Sequence, residues 1–461
     1  MIGVLWLLEA IVLGFLLAWR WIDLREIQPA WAQWLLRAGA GAAGGMGLAS
    51  CLFFIFGVLL GSQAAAVGVE LAALAWAIYE CVRYRSRSRS ATAPSARTPL
   101  LLALAALLAI VVATATIASG WDANPQGNWD AWAIWNLRAR FLSSGAGLAP
   151  RAWAPQLGAV THPEYPLLVS ALAARSWTLT HSTTPAVPQA VSYLFFLSLL
   201  AVAAGGVAAL RSPALGALAA LILASTPSLV HEVPAQYADV PLACYFAGAV
   251  VLALLDQPMA AGIFAAFAAW TKDEGALFLL LFAAAILIFR RHLFRRAAAG
   301  ALPVFLLLLV FKEGLASGTS TSLMATSLPG LATRLADAHR YTTILAAFGR
   351  EVVNMGVGWY HPILPLAVAA IGLRFDRARS GDALFAAAIP LGLLAGYFGI
   401  YSMTANDLNW QLQTSLSRLL IQVWPVVLVA CFAFLNAPRF AAAPVAEKKS
   451  PRPQTRNKRR R

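Results

Sequence analysis

The chain has 461 residues, 60% of them hydrophobic and 12% charged, with a formal net charge of +15 and a mean hydropathy of +0.69. Soluble domains carry about 25% charged residues, so this composition excludes a soluble globular protein and indicates an all-α, polytopic membrane protein. The positive charge does not indicate a nucleic-acid partner, because the basic residues sit in short blocks between apolar runs: "RYRSRSRS" (83–90), "RRHLFRR" (290–296), "RFDRARS" (374–380) and the tail 447–461. Such blocks mark cytoplasmic loops and attract anionic lipid head groups.

With the basic blocks inside, apolar runs predict spans at 1–19, 39–61, 63–82, 99–119, 188–210, 213–231, 239–256, 259–273, 276–290, 298–311, 361–374, 383–402 and 418–436. That is about thirteen transmembrane helices, with the N-terminus outside and the C-terminus in the cytoplasm. Residues 1–82 read as a front module of three spans and 83–98 as a basic cytoplasmic linker. The main module then covers 99–436, and 437–461 is a basic, disordered cytoplasmic tail. Outer loops are expected at 120–187, 312–360 and 402–417, with one surface helix over 331–353. The cysteines Cys51, Cys81, Cys244 and Cys431 lack metal-ligand spacing, and the six histidines form no HExxH pattern.

Five stretches hold polar groups at the outer membrane edge. In "GNWDAWAIWNLRARFL" (127–142), Asp130 reads either as a helix N-cap or as a general base. Trp121, Trp129, Trp132 and Trp135 read as an interfacial belt or a stacking platform, and Arg138 and Arg140 as phosphate or head-group contacts. In "THPEYPLL" (161–168), two prolines stiffen a turn that carries His162, Glu164 and Tyr165. "PAQYADVPLA" (234–243) places Asp239 in a first helical turn, and "AAWTKDEGALF" (268–278) sets Lys272, Asp273 and Glu274 between two apolar runs. Ionisable residues at such depth tend to be functional. "NDLNWQLQTSLSRLL" (406–420) adds Trp410 and Arg418 before the final span.

Taken in this order, the stretches resemble the GT-C glycosyltransferases, integral membrane enzymes that use polyprenyl-phosphate sugars. The likeness is to bacterial relatives of protein O-mannosyltransferases and lipid A aminoarabinose transferases. It rests on Asp130 in "NWDAW", the "YP" entry in "HPEYPLL", "YADVPLA" with Asp239, and "WTKDEG" with Lys272 and Glu274, and it covers about 99–436. The family usually carries two acidic residues in the first loop, whereas here the nearest companion of Asp130 is Asp122. The resemblance implies a multi-pass enzyme of a bacterial inner membrane, acting in cell-envelope glycan biosynthesis with its site facing the periplasm. It would pass a sugar, with inversion, from a polyprenyl-phosphate donor to a glycan, lipid or protein acceptor among membrane lipids.

Asp130 is then the base, and Lys272, with Arg138 and Arg418 behind it, stabilises the departing phosphate. Asp239, Glu164, His162, Tyr165, Glu274 and Trp410 line the substrate. If a divalent cation (Mg or Mn) is used, Asp130, Asp239, His162 or Glu164 would hold it. Two alternatives share the outer aromatic loops: a transporter or flippase of lipid-linked sugars, and a lipid-diphosphate-dependent ligase or polymerase.

Overall fold

A computed structural model describes residues 2–24, 29–83, 99–145, 147–157, 161–317, 328–356 and 360–438. The expected linker 83–98 and tail 437–461 fall almost wholly outside the described residues.

The described chain is helical. The front helices are α1 (Ile2–Trp21), α2 (Ala30–Leu52, running on as a wider turn through Phe53–Leu59) and α3 (Gln63–Arg83). Next come α4 (Leu100–Ala123), α5 (Asn136–Ser143), α6 (Leu168–Thr180) and α7 (Ala186–Leu210). The middle of the chain forms α8 (Pro213–Ala224), α9 (Pro227–Ala235), α10 (Asp239–Leu254), α11 (Pro258–Thr271), α12 (Asp273–Phe289) and α13 (Phe294–Val310). The last five are α14 (Leu328–Ala336), α15 (Ala338–Asn354), α16 (Ile363–Leu373), α17 (Ser380–Met403) and α18 (Leu408–Phe434). Among the described residues, eight helices are long and apolar enough to cross a bilayer, or nine if the bent pair α8–α9 counts as one.

Local sequence explains the breaks. Proline stands at the first position of α8, α9 and α11, where its missing N–H costs nothing. The α8–α9 pair bends by 60° at Ser225 and Thr226. Both hydroxyls there have partners, Tyr360 Oη at 2.6 Å and Trp424 Nε1 at 3.2 Å. The surface helix expected over 331–353 is two helices, α14 and α15. They break at Asp337, whose carboxylate accepts the His339 N–H at 3.0 Å and caps α15.

The alternation of helices brings the end of α4, the start of α10, the α11–α12 turn and the start of α18 to one end of the bundle. At the other end, Arg211 pairs with Asp376 and Arg290 with Asp256 and Asp382. The front helices share the core of the rest, in one apolar cluster that includes Leu7, Met46, Phe195, Tyr245 and Phe432. α2 lies along α7, and the Tyr245 hydroxyl donates to the Ala43 carbonyl at 2.9 Å. Arg175 of α6, buried, donates to Glu70 of α3 through Nε (2.9 and 2.8 Å) and Nη2, to Glu9 of α1 (2.6 Å) and to the Trp6 carbonyl (2.8 Å). The 1–82 boundary is thus one of sequence and not of packing.

Candidate functional site

Asp130 owes its place to stitching between the loop after α4 and the α9–α10 turn. Gly127 adopts φ +75°, and a Cβ there would lie 2.6 Å from the Ala235 carbonyl oxygen, so only glycine fits this approach. The Asn128 N–H donates to that same oxygen at 3.1 Å. Gln236, itself at φ +59°, donates to the Pro125 carbonyl at 3.0 Å and accepts from Asn136 at 3.2 Å. Asp130 follows in the first turn of a helix beginning at Trp129. It makes no capping bond, so the N-cap reading fails; its carboxylate crosses instead to α18.

The crossing ends on Arg418, whose Nη2 donates to Asp130 Oδ2 at 2.6 Å and whose Nε donates to Asp239 Oδ2 at 3.3 Å. Its guanidinium lies 4.5 Å over the Tyr237 ring. Asp239 is fully buried; it accepts from Lys272 Nζ at 3.2 Å and from Gln422 Nε2. Lys272 also pairs with Glu274 at 2.9 Å, and the Tyr397 hydroxyl fixes Gln422 at 2.9 Å. A buried charge persists only when paired and hydrogen-bonded, and the chain Asp130–Arg418–Asp239–Lys272–Glu274 meets that condition by alternating sign. Burial, and then the charge of Asp130, push the Tyr237 phenol up to about 12.

The turn 161–167 forms the second wall. Arg138, buried on α5, donates to the carbonyls of Tyr165 (2.7 Å), Thr161 (3.0 Å) and His162 (2.5 Å). Burial lowers its guanidinium to about 10 against the opposing pull of Glu164, Tyr165 and Asp273, so it stays charged at neutral pH. Lys312, just past α13, ties the Glu164 carbonyl and the Asp273 carboxylate, each at 2.7 Å. His162, at φ +44°, binds Glu164 through Nδ1 at 2.9 Å and stacks on Tyr165 at 4.5 Å between centroids. Tyr165 stacks in turn on Trp135 at 5.6 Å, and Lys272 Nζ lies 5.9 Å over its ring. Burial drives the Tyr165 phenol upward.

Asp130, Asp239, Lys272, Glu274 and Arg418 therefore meet in one network, with Tyr165 against it and His162 and Glu164 behind Tyr165. Arg138 holds a backbone turn, because both of its terminal nitrogens donate to the three carbonyls of that turn. Trp410 is 58% exposed on the first turn of α18, and its N–H is capped by Asp407 at 2.8 Å. Trp129 and Trp132 face outward as a belt requires, whereas Trp135 is buried in the core. Lys272, 4% exposed at its side chain and held by two carboxylates, is no open phosphate ligand.

Among the described residues, no group of three or more His, Cys, Asp or Glu side chains is placed to hold a metal ion. Asp130 and Asp239 flank a guanidinium, while His162 and Glu164 pair with each other. This donor set does not fit a divalent cation.

Sequence reasoning missed Gln422, Tyr237, Lys312 and Glu232. Gln422 had a readable signal, lying four residues after Arg418 and so on the same helical face. Tyr237 stands two residues before Asp239. No family model, curated protein or solved structure gives a significant match to this chain.

Proposed function

We propose that the protein is a membrane glycosyltransferase of the GT-C type, moving a sugar from a polyprenyl-phosphate donor to an acceptor hydroxyl at the outer face of a bacterial inner membrane. The observation that carries this reading is Asp130, a carboxylate at one end of the helix bundle anchored at 2.6 Å to Arg418 and joined through it to Asp239 and Lys272. A lipid-tailed donor meets an enzyme at the bilayer edge, and the polar network lies at that end of the bundle. The finer topology proposed with it has thirteen passes, the N-terminus and the site in the periplasm, and the basic blocks in the cytoplasm.

In this mechanism Asp130 takes the proton of the acceptor hydroxyl as its oxygen bonds to the anomeric carbon. The bond from that carbon to the phosphate oxygen breaks on the opposite side, with the electron pair leaving on the phosphate. Arg418 is the cation placed to meet that charge: Nε and Nη2 are held by Asp239 and Asp130, while Nη1 has no hydrogen-bond partner among the described residues. A preorganised donor at a developing charge is worth about 10²–10³ in rate. Lys272 acts one step back, fixing Asp239, which in turn fixes Arg418.

The test incubates purified protein with a polyprenyl-phosphate sugar and a glycan or lipid acceptor and measures release of lipid phosphate. Release by the native protein, and a loss of about 10²–10⁴-fold in Asp130→Asn, supports the reading. Transport of the intact donor across vesicles without phosphate release refutes it in favour of a flippase. Use of a lipid diphosphate alone refutes the donor assignment.

A further inference from the structure

We propose that Glu232 is a reserve counter-ion for Arg418, taking up the guanidinium when Asp130 carries the acceptor's proton. The inference rests on the reading of Asp130 as the base. Glu232 lies on the last turn of α9, with its side chain 12% exposed. Its Oε1 is buried without a hydrogen-bond partner and stands 3.9 Å from Arg418 Nε, beyond hydrogen-bond reach. A buried carboxylate left in that condition is costly.

The charges around it explain why it is there. Arg418 faces it from α18, Asp239 from α10, Asp130 from the loop after α4, Tyr237 from the α9–α10 turn and Lys272 from the α11–α12 turn. In the resting site Arg418 is shared by Asp130 and Asp239, and Glu232 has no hydrogen bond to it. When the acceptor's proton moves to Asp130, that carboxylate becomes neutral and its bond to Arg418 loses its ionic part. Once the lipid phosphate has left, Arg418 has one full counter-ion where it had two. Glu232 closes the gap by moving onto the Arg418 guanidinium 3.9 Å away, and the exchange reverses when Asp130 releases its proton to water. The sequence of ion pairs lets Asp130 leave Arg418 without leaving a buried cation underpaired. Glu232 is thus a positioning residue acting through Arg418.

Asp130→Asn imitates the protonated state, so the test is a double-mutant cycle read by thermal midpoint in detergent. Glu232→Gln in the native background should leave the midpoint unchanged or raise it. The same substitution in Asp130→Asn should lower it by about 2 °C or more, because there Glu232 has become the partner of Arg418. Equal shifts in both backgrounds overturn the proposal. A structure of the Asp130→Asn protein gives the second reading: Glu232 within hydrogen-bond distance of Arg418 supports the exchange, and a gap still near 3.9 Å refutes it. Should Asp130→Asn not survive purification, Asp130→Ser carries the same comparison. Neither reading needs sugar transfer. An intact cycle without lipid-phosphate release therefore sinks the transferase reading alone, and equal shifts with normal release sink the exchange alone.

Discussion

Asp130 and Asp239 hold the same guanidinium, yet the geometry gives them different work, and paired Asn substitutions separate the two. Asp239 is fully buried and accepts from two cations and an amide. Asp239→Asn removes the shared anion, leaving Lys272 with Glu274 and Arg418 with Asp130. Breaking one side of a buried ion pair costs about 3–5 kcal/mol; each stranded cation keeps one carboxylate, so the low end, about 3 kcal/mol, applies. Asp130→Asn exchanges one charge-assisted hydrogen bond for a neutral one at a side chain 15% exposed, a difference of about 1 kcal/mol. Thermal midpoints in detergent, followed by tryptophan fluorescence, should therefore fall clearly for Asp239→Asn and little for Asp130→Asn. Lipid-phosphate release should be lost in both. Equal destabilisation by the two substitutions would refute the division, because Asp130 would then be a structural partner like Asp239 and no base.

Three further outcomes follow from the same geometry. Arg175→Met leaves Glu9 and Glu70 facing each other without their cation and should cost about 3–5 kcal/mol; adding Glu9→Gln and Glu70→Gln should recover most of the lost thermal midpoint. Trp410→Ala, at a residue 58% exposed, should leave the midpoint unchanged, and an unchanged rate of lipid-phosphate release would place it in the interfacial belt and outside the site. The Tyr237 phenol, pushed up to about 12 by burial and by Asp130, stays neutral in the folded protein above the ordinary value of about 10. Its contribution to stability is complete below about pH 10 and lost as pH rises through about 12. Alkaline absorbance titration of the native protein minus Tyr237→Phe should show one tyrosine titrating near that upper value.

How far the sequence reaches can be judged from individual residues. Some placements are readable: apolar runs show that helices long enough to cross a bilayer are present, and a polar residue at the end of such a helix is confined to one plane. Asp130, Asp239, Lys272, Glu274 and Arg418 share that plane and meet. Within the plane nothing local says which helix neighbours which. Arg175 reaches partners 105 and 166 residues away, and so the docking of the front helices left no trace in any window of the sequence. Arg138 misled for a different reason, since a guanidinium looks the same whether its acceptors are phosphate oxygens or backbone carbonyls, and carbonyls have no residue signature. The meaning of Glu232 depends on 3.9 Å to a side chain on α18. In a site built from alternating charges, a carboxylate matters by the hydrogen bonds it lacks as much as by those it makes, and that property appears only when every partner has been located in space.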